Sequence, residues 1–164
     1  MLLGMSLHAF TVFHVVLSLI GIGSGFVVIY GFLVARDFKW WTLVFLVTTA
    51  LTSLTGFLFP VPHLLPSHVV GILSLVVLTG AIVARYSGYS AGRWQTFYVV
   101  CATIALYFNV FVLVAQLFKH VAVLKALAPT QSEPPFMVAQ VIVLAAFVAL
   151  GIFSVKRFRL AEAR

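Results

Sequence analysis

Carboxylates are nearly missing from this sequence: among 164 residues, Asp and Glu together number 3, against 10 Lys and Arg. The three are Asp37, Glu133 and Glu162, too few and too scattered for the paired acids of general acid–base catalysis. No Ser-His-Asp order can be argued from them either. Cysteine is also scarce. Cys101 stands alone, which excludes an intrachain disulfide and the thiol redox chemistry that needs a Cys pair. Charge of either sign is low, at 8% of residues, where soluble proteins average about 25%.

What fills the chain instead is apolar: 63% of residues are hydrophobic, and the mean hydropathy is +1.20. A water-soluble domain has no interior large enough for that composition. In lipid, every backbone polar group must be satisfied internally, which helices do and open sheets do not. The strands of an outer-membrane barrel alternate apolar and polar residues over about 10 positions. The apolar runs here are continuous, so the expected fold is all-α, a single integral membrane bundle covering residues 1–164.

Five runs approach the roughly 20 residues that a helix needs to cross a hydrocarbon core. They are placed at about 10–34 (within Leu7 to Ala35), 41–59, 66–84, 94–118 and 135–155. Pro60 stops the second, and with Pro62 and Pro66 makes the next connection short and stiff. Pro66 and Ser67 suit a helix start. Before the fifth, Ser132-Glu133-Pro134-Pro135 sets an acid beside a helix N-terminus, where the macrodipole favours it.

Lys and Arg sort by alternate connections. Arg36 and Lys39 follow the first run, Arg85 and Arg93 the third, and Lys156, Arg157, Arg159 and Arg164 the fifth, leaving only Lys119 and Lys125 on the other side. The positive-inside rule then places the N-terminus outside and the C-terminus in the cytoplasm. No Lys or Arg precedes the first run, which argues that this run is retained as a span and not cleaved as a signal peptide. Trp40, Trp41 and Trp94 fall at the inner ends of spans, as an aromatic belt requires. The net charge of +7 reads as topology and contact with anionic lipid, not as nucleic-acid binding.

Two apparent motifs dissolve in this context. Gly21-Ile22-Gly23-Ser24-Gly25 resembles part of a dinucleotide fingerprint, which needs a preceding strand and a water-exposed crevice. In a membrane span it reads as a small-residue face of Ser18, Gly21 and Gly25, open to close helix approach. Thr48, Thr49, Thr52, Ser53 and Thr55 make the second run rich in hydroxyls, read as back-bonding and interhelical contact, with a polar permeation path as the alternative.

Topology gathers the 5 histidines. His8, His14, His63, His68 and His120 all fall on the outer side, and His14 lies about two turns inside an apolar run, where a polar ring must face the bundle or a ligand. On the fourth run Asn109, Gln116 and His120 share one helical face, and Gln140 is a buried amide on the fifth. Histidines on separate helices are what axial ligation of haem b requires, and His with amides and aromatics also makes a quinone pocket. The cofactor-binding candidates are His14, His68, His120, Asn109 and Gln116, with Lys119 and Lys125 placed to meet haem propionates or an acidic partner; the alternative is that the histidines rest at the headgroup level and the amides are interhelical hydrogen-bond glue. A zinc or copper site would draw on His63, His68, His120 and Glu133.

Three stretches, Thr52-Ser53-Leu54-Thr55-Gly56-Phe57, Pro66-Ser67-His68-Val69-Val70-Gly71 and Ala128-Pro129-Thr130-Gln131-Ser132-Glu133-Pro134-Pro135-Phe136, resemble segments of small bacterial multi-pass membrane proteins. The resemblance covers most of the chain and implies a bacterial inner membrane. The chain does not resemble the four-helix b-type cytochromes that hold haem ligands near both membrane faces, since its inner side carries no histidine.

Three functions follow as expectations. The first is a non-catalytic small subunit or assembly partner of a larger membrane complex, associating with a membrane protein or with its own copies through the small-residue and hydroxyl faces. The second is a redox carrier binding haem b or quinone near the outer leaflet through histidines. The third is a small oligomeric transporter using the Thr-rich second span. None of the three makes the chain an enzyme by its own side chains.

Overall fold

A computed structural model describes residues 4–60, 66–87 and 92–162. The fold is all-helical: α1 (Leu7–Leu33), α2 (Lys39–Gly56), α3 (Pro66–Ser87), α4 (Gly92–His120), α5 (Ala122–Leu127) and α6 (Pro134–Glu162). Four of these, α1, α3, α4 and α6, are long and apolar enough to cross a membrane. The helix at the second apolar run, α2, is not among them, because its hydroxyl-bearing residues and Lys39 lower its hydropathy.

Local chemistry sets the helix ends. The Ser6 hydroxyl accepts from the backbone N–H of Ala9 at 3.2 Å and caps α1. At the other end of α1, Ala35 takes φ 53°, its N–H donates to the Phe32 carbonyl at 3.2 Å, and the Arg36 N–H donates to the Gly31 carbonyl at 2.8 Å. That pair of bonds is a Schellman motif, with alanine at the left-handed position where glycine is usual. Gly31 is required beside it, since a Cβ there would meet the Arg36 carbonyl oxygen at 2.7 Å.

Helix ends differ from the sequence expectation by a few residues, most at the last helix. The second helix ends at Gly56 instead of Phe59; Phe57 and Leu58 donate back to Leu54 and Thr55 in a closing turn, and Phe59 folds over α1, with its ring 5.0 Å from that of Phe10. The last helix runs on to Glu162, because Lys and Arg are good helix formers and carry the helix beyond the apolar run. The short helix α5 was not anticipated at all.

The long helices alternate in direction. Early α1 residues share a cleft with late α2, early α3 and late α4 residues, while Gln140 near the start of α6 donates to the Phe111 carbonyl of α4 at 3.1 Å. α4 is central, packed on α1, α3 and α6, and α1 in turn packs on α2 and α6. Phe45, Tyr98 and Leu106 are wholly buried where α1, α2 and α4 meet. Gly25 lets them meet: a Cβ there would lie 2.6 Å from Leu106 Cδ1 and 2.9 Å from Phe45 Cε2. Gly21 similarly rests on the hydroxyls of Thr48 and Thr49, each 3.2 Å from where its Cβ would be.

At the end of the bundle opposite the cleft, Arg85 of α3 donates to Asp37 in the α1–α2 connection at 2.6 Å. The guanidinium also lies 5.4 Å from the ring centre of Tyr98, whose hydroxyl donates to Thr42 Oγ1 at 3.3 Å. Three connected segments are thereby tied to α4.

Candidate functional site

The site is built from helical spacing. On α1, Thr11, His14, Ser18 and Ile22 recur at three- and four-residue intervals and share one face, and that face lines a cleft of about 440 Å³. Late α2 contributes Thr52, Ser53 and Gly56, early α3 contributes His68, Gly71 and Ser74, and late α4 contributes Asn109, Gln116, Lys119 and His120. Val15, Leu19, Phe57, Phe59, Phe108, Val112 and Leu113 supply apolar wall between these groups. The surface is mostly apolar but carries many polar side chains, which suits an amphipathic small molecule, and its size falls in the usual range of about 300–1,000 Å³ for such sites.

His14 is held in one orientation. Its Nδ1 lies 2.8 Å from Thr55 Oγ1, and the Thr55 hydroxyl spends its single proton on the Leu51 carbonyl at 2.7 Å. A hydroxyl that donates elsewhere can only accept; with the Thr55 proton on Leu51, His14 Nδ1 carries the proton of this bond and Nε2 is a bare lone pair, whereas a Thr55 proton turned to Nδ1 gives the opposite tautomer. Phe59 packs edge-on against the imidazole, centroids 5.2 Å apart at 88°, and fixes the ring plane. His68 is buried against Phe57, with ring centres 5.5 Å apart.

Other polar groups of the cleft tie helices together. Asn109 Nδ2 donates to Thr49 Oγ1 at 3.1 Å, joining α4 to α2, and Ser53 donates to Ser74 at 3.2 Å, joining α2 to α3. Thr52 differs from them. Its hydroxyl is buried with no hydrogen-bond partner among the described residues, and the residue lines the cleft. Buried polar groups are satisfied in the great majority of cases, and a polar head lodged in the cleft would satisfy this one.

All five cofactor-binding candidates, His14, His68, Asn109, Gln116 and His120, line this one cleft, and Lys119 joins them. The remaining candidates do not. His8 is exposed and is not part of the lining. Gln140 bonds the α4 backbone, so its amide serves as interhelical glue. Lys125 lies on α5. His63 lies outside the described residues. Glu133 is occupied elsewhere: its Oε1 accepts from the Thr130 N–H at 3.1 Å and the Thr130 hydroxyl at 2.9 Å, and its Oε2 from the Ser132 N–H at 3.1 Å. Partial desolvation pushes the Glu133 carboxyl up, but these hydrogen bonds outweigh it and hold the group below the ordinary carboxylate range. Among the described residues no three His, Cys, Asp or Glu side chains stand close enough to hold a metal ion.

Phe59, expected as the end of a span, closes over α1 instead. Thr55 makes both the back-bond and the interhelical contact expected of the hydroxyl-rich run, with His14 as the contact. A His on one helix and a hydroxyl on the next carry no sign in the sequence that they will meet. No protein family, curated protein or solved structure matches the chain, so the cleft itself is the basis for a functional reading.

Proposed function

We propose that the chain is a five-span, multi-pass protein of the bacterial inner membrane, N-terminus outside and C-terminus in the cytoplasm, that binds a quinone-type ring ligand in the cleft near the outer leaflet. The fifth span is α2. Its 18 residues extend about 27 Å at 1.5 Å per residue, close to the hydrocarbon thickness. Its hydroxyls do not argue against lipid, because Thr42, Thr49, Ser53 and Thr55 are buried in the bundle and Thr48 donates to its own helix at Val44. With five spans, Lys and Arg fall on alternate connections as the positive-inside rule requires.

The observation that carries the ligand reading is the cleft itself. An oriented imidazole on α1 and a row of amide, ammonium and imidazole groups on α4 line one largely apolar space, which is what an amphipathic ring with polar oxygens needs. Phe57, Phe59 and Phe108 supply aromatic surface for such a ring. The small-residue and hydroxyl faces that would serve an assembly partner are filled within the bundle, Gly21 by Thr48 and Thr49 and Gly25 by Phe45 and Leu106. Haem b is the second reading, favoured by the three histidines of the lining.

The test is the absorption spectrum and organic extract of the protein purified in mild detergent, followed by titration with a short-chain quinone. A quinone in the extract, or saturable binding that weakens in Gln116→Leu and His120→Leu, is the expected result. A Soret band would replace quinone by haem. No chromophore, no quinone and no saturable binding would remove both readings and leave the assembly role, which crosslinking in native membranes would then have to reveal.

A further inference from the structure

Resting on the quinone reading, we propose that the cleft selects the reduced, hydroxyl-bearing quinol over the oxidised quinone, and that Thr55 is the positioning residue that sets this preference through His14. The chemistry follows from counting protons. Thr55 Oγ1 accepts from His14 Nδ1–H at 2.8 Å because its own proton is committed to the Leu51 carbonyl at 2.7 Å, or, in the weaker alternative, to the Thr52 carbonyl at 3.2 Å. We assign the hydroxyl proton to the shorter of these back-bonds, which makes Thr55 an acceptor towards His14. The imidazole then meets a ligand with Nε2, an acceptor with no proton to give.

The ring is neutral on grounds of charge. A buried imidazolium needs an anionic partner, and the chain's carboxylates are Asp37, Glu133 and Glu162. Asp37 is paired with Arg85 away from the cleft, Glu133 is held by Thr130 and Ser132, and Glu162 ends α6. The charged and titratable groups that do line the cleft besides His14 are His68, Lys119 and His120, none of them a source of negative charge. A quinol O–H donates to Nε2, whereas a quinone carbonyl brings a second set of lone pairs to the same place. The preference is for binding, and no electron transfer is invoked.

The experiment titrates the full chain in nanodiscs with decylhydroquinone kept reduced by ascorbate, with decylquinone, and with the dimethyl ether of the hydroquinone. One hydrogen bond is worth roughly 0.5–1.5 kcal/mol net, so the hydroquinone is expected to bind about three- to tenfold tighter than the other two. Thr55→Val should shrink that ratio towards one, and Thr55→Ser should keep it. Nitrogen-15 NMR of labelled histidine should show His14 protonated at Nδ1 in the wild type and in the Ser variant, and a tautomer mixture in the Val variant. The wild-type ratio and tautomer need no variant, so a Val variant that fails to fold does not protect the idea. Equal binding of all three compounds by the wild type, or a proton found on Nε2, overturns the proposal while leaving the cleft as a quinone site. No saturable binding of any of the three overturns both.

Discussion

Asp37→Asn removes one charge from the ion pair that fastens the α1–α2 connection to the end of α3, while keeping the size of the side chain. Arg85 and Asp37 approach to 2.6 Å, and their side chains are 8% and 26% exposed. Two unit charges about 4 Å apart at an effective dielectric near 20 interact by about 4 kcal/mol. Breaking a fully buried pair costs about 3–5 kcal/mol, and an exposed pair is worth about 0–1. Since the arginine is buried and the aspartate is a quarter exposed, the loss should fall between these limits, at about 2–3 kcal/mol. Tyr98 continues to hold the guanidinium over its ring, which keeps the figure from rising further. The assay is reversible unfolding in mixed micelles titrated with a denaturing detergent, run as a double-mutant cycle with Arg85→Gln. A coupling free energy of about 2 kcal/mol is expected. A coupling below about 0.5 kcal/mol would refute the claim that this pair, and not general packing, secures the connection.

Other substitutions test the same account. Ala35→Gly should stabilise by about 1 kcal/mol, because a left-handed alanine costs roughly 1–2 kcal/mol and glycine's added freedom in the unfolded chain returns part of that; a loss of stability would contradict the Schellman assignment. Gly25→Val should destabilise by about 2–3 kcal/mol through overpacking against Leu106 and Phe45, and a neutral result would mean that α1 stands further from α4 than described. Glu133 gives a pH signature. A carboxyl lowered in the folded protein contributes stability that is present above its unfolded pKa and is lost as the pH falls through its folded pKa. Melting scans should therefore lose stability on acidification below the ordinary carboxylate range, and Glu133→Gln should flatten that dependence. An unchanged acid limb in Glu133→Gln would count against the carboxylate's hold on the Thr130–Ser132 turn.

Hydropathy alone located the four long apolar helices, because a span must be apolar along its length whatever it packs against. The third start at Pro66 and the turn with Glu133 before α6 were legible for a similar reason, each being local chemistry. The cleft was legible in part. Spacing put Asn109, Gln116 and His120 on one face, and depth in an apolar run marked His14 as facing inward. Which partner His14 meets was not legible, since Thr48, Thr49, Thr52, Ser53 and Thr55 look alike in the sequence and only the crossing of α1 on α2 selects Thr55. The partner of Gln140 was not legible, because an amide inside an apolar run looks the same whether it binds a ligand or a neighbouring backbone carbonyl. The short α5 was invisible for want of length, a six-residue helix having no period to detect.

Photolabelling tests the central claim most directly. Native membranes containing the chain are irradiated with a quinone that carries an azide on its ring, and the labelled peptides are identified by mass spectrometry. Label on the α1 segment around His14, the turn at Phe57 and Phe59, or the α4 face from Asn109 to His120, displaced by excess unlabelled quinone, is the predicted result. Label that excess quinone does not displace, or that falls on the exposed α6 face of Met137, Val141, Leu144 and Val148, would contradict the account.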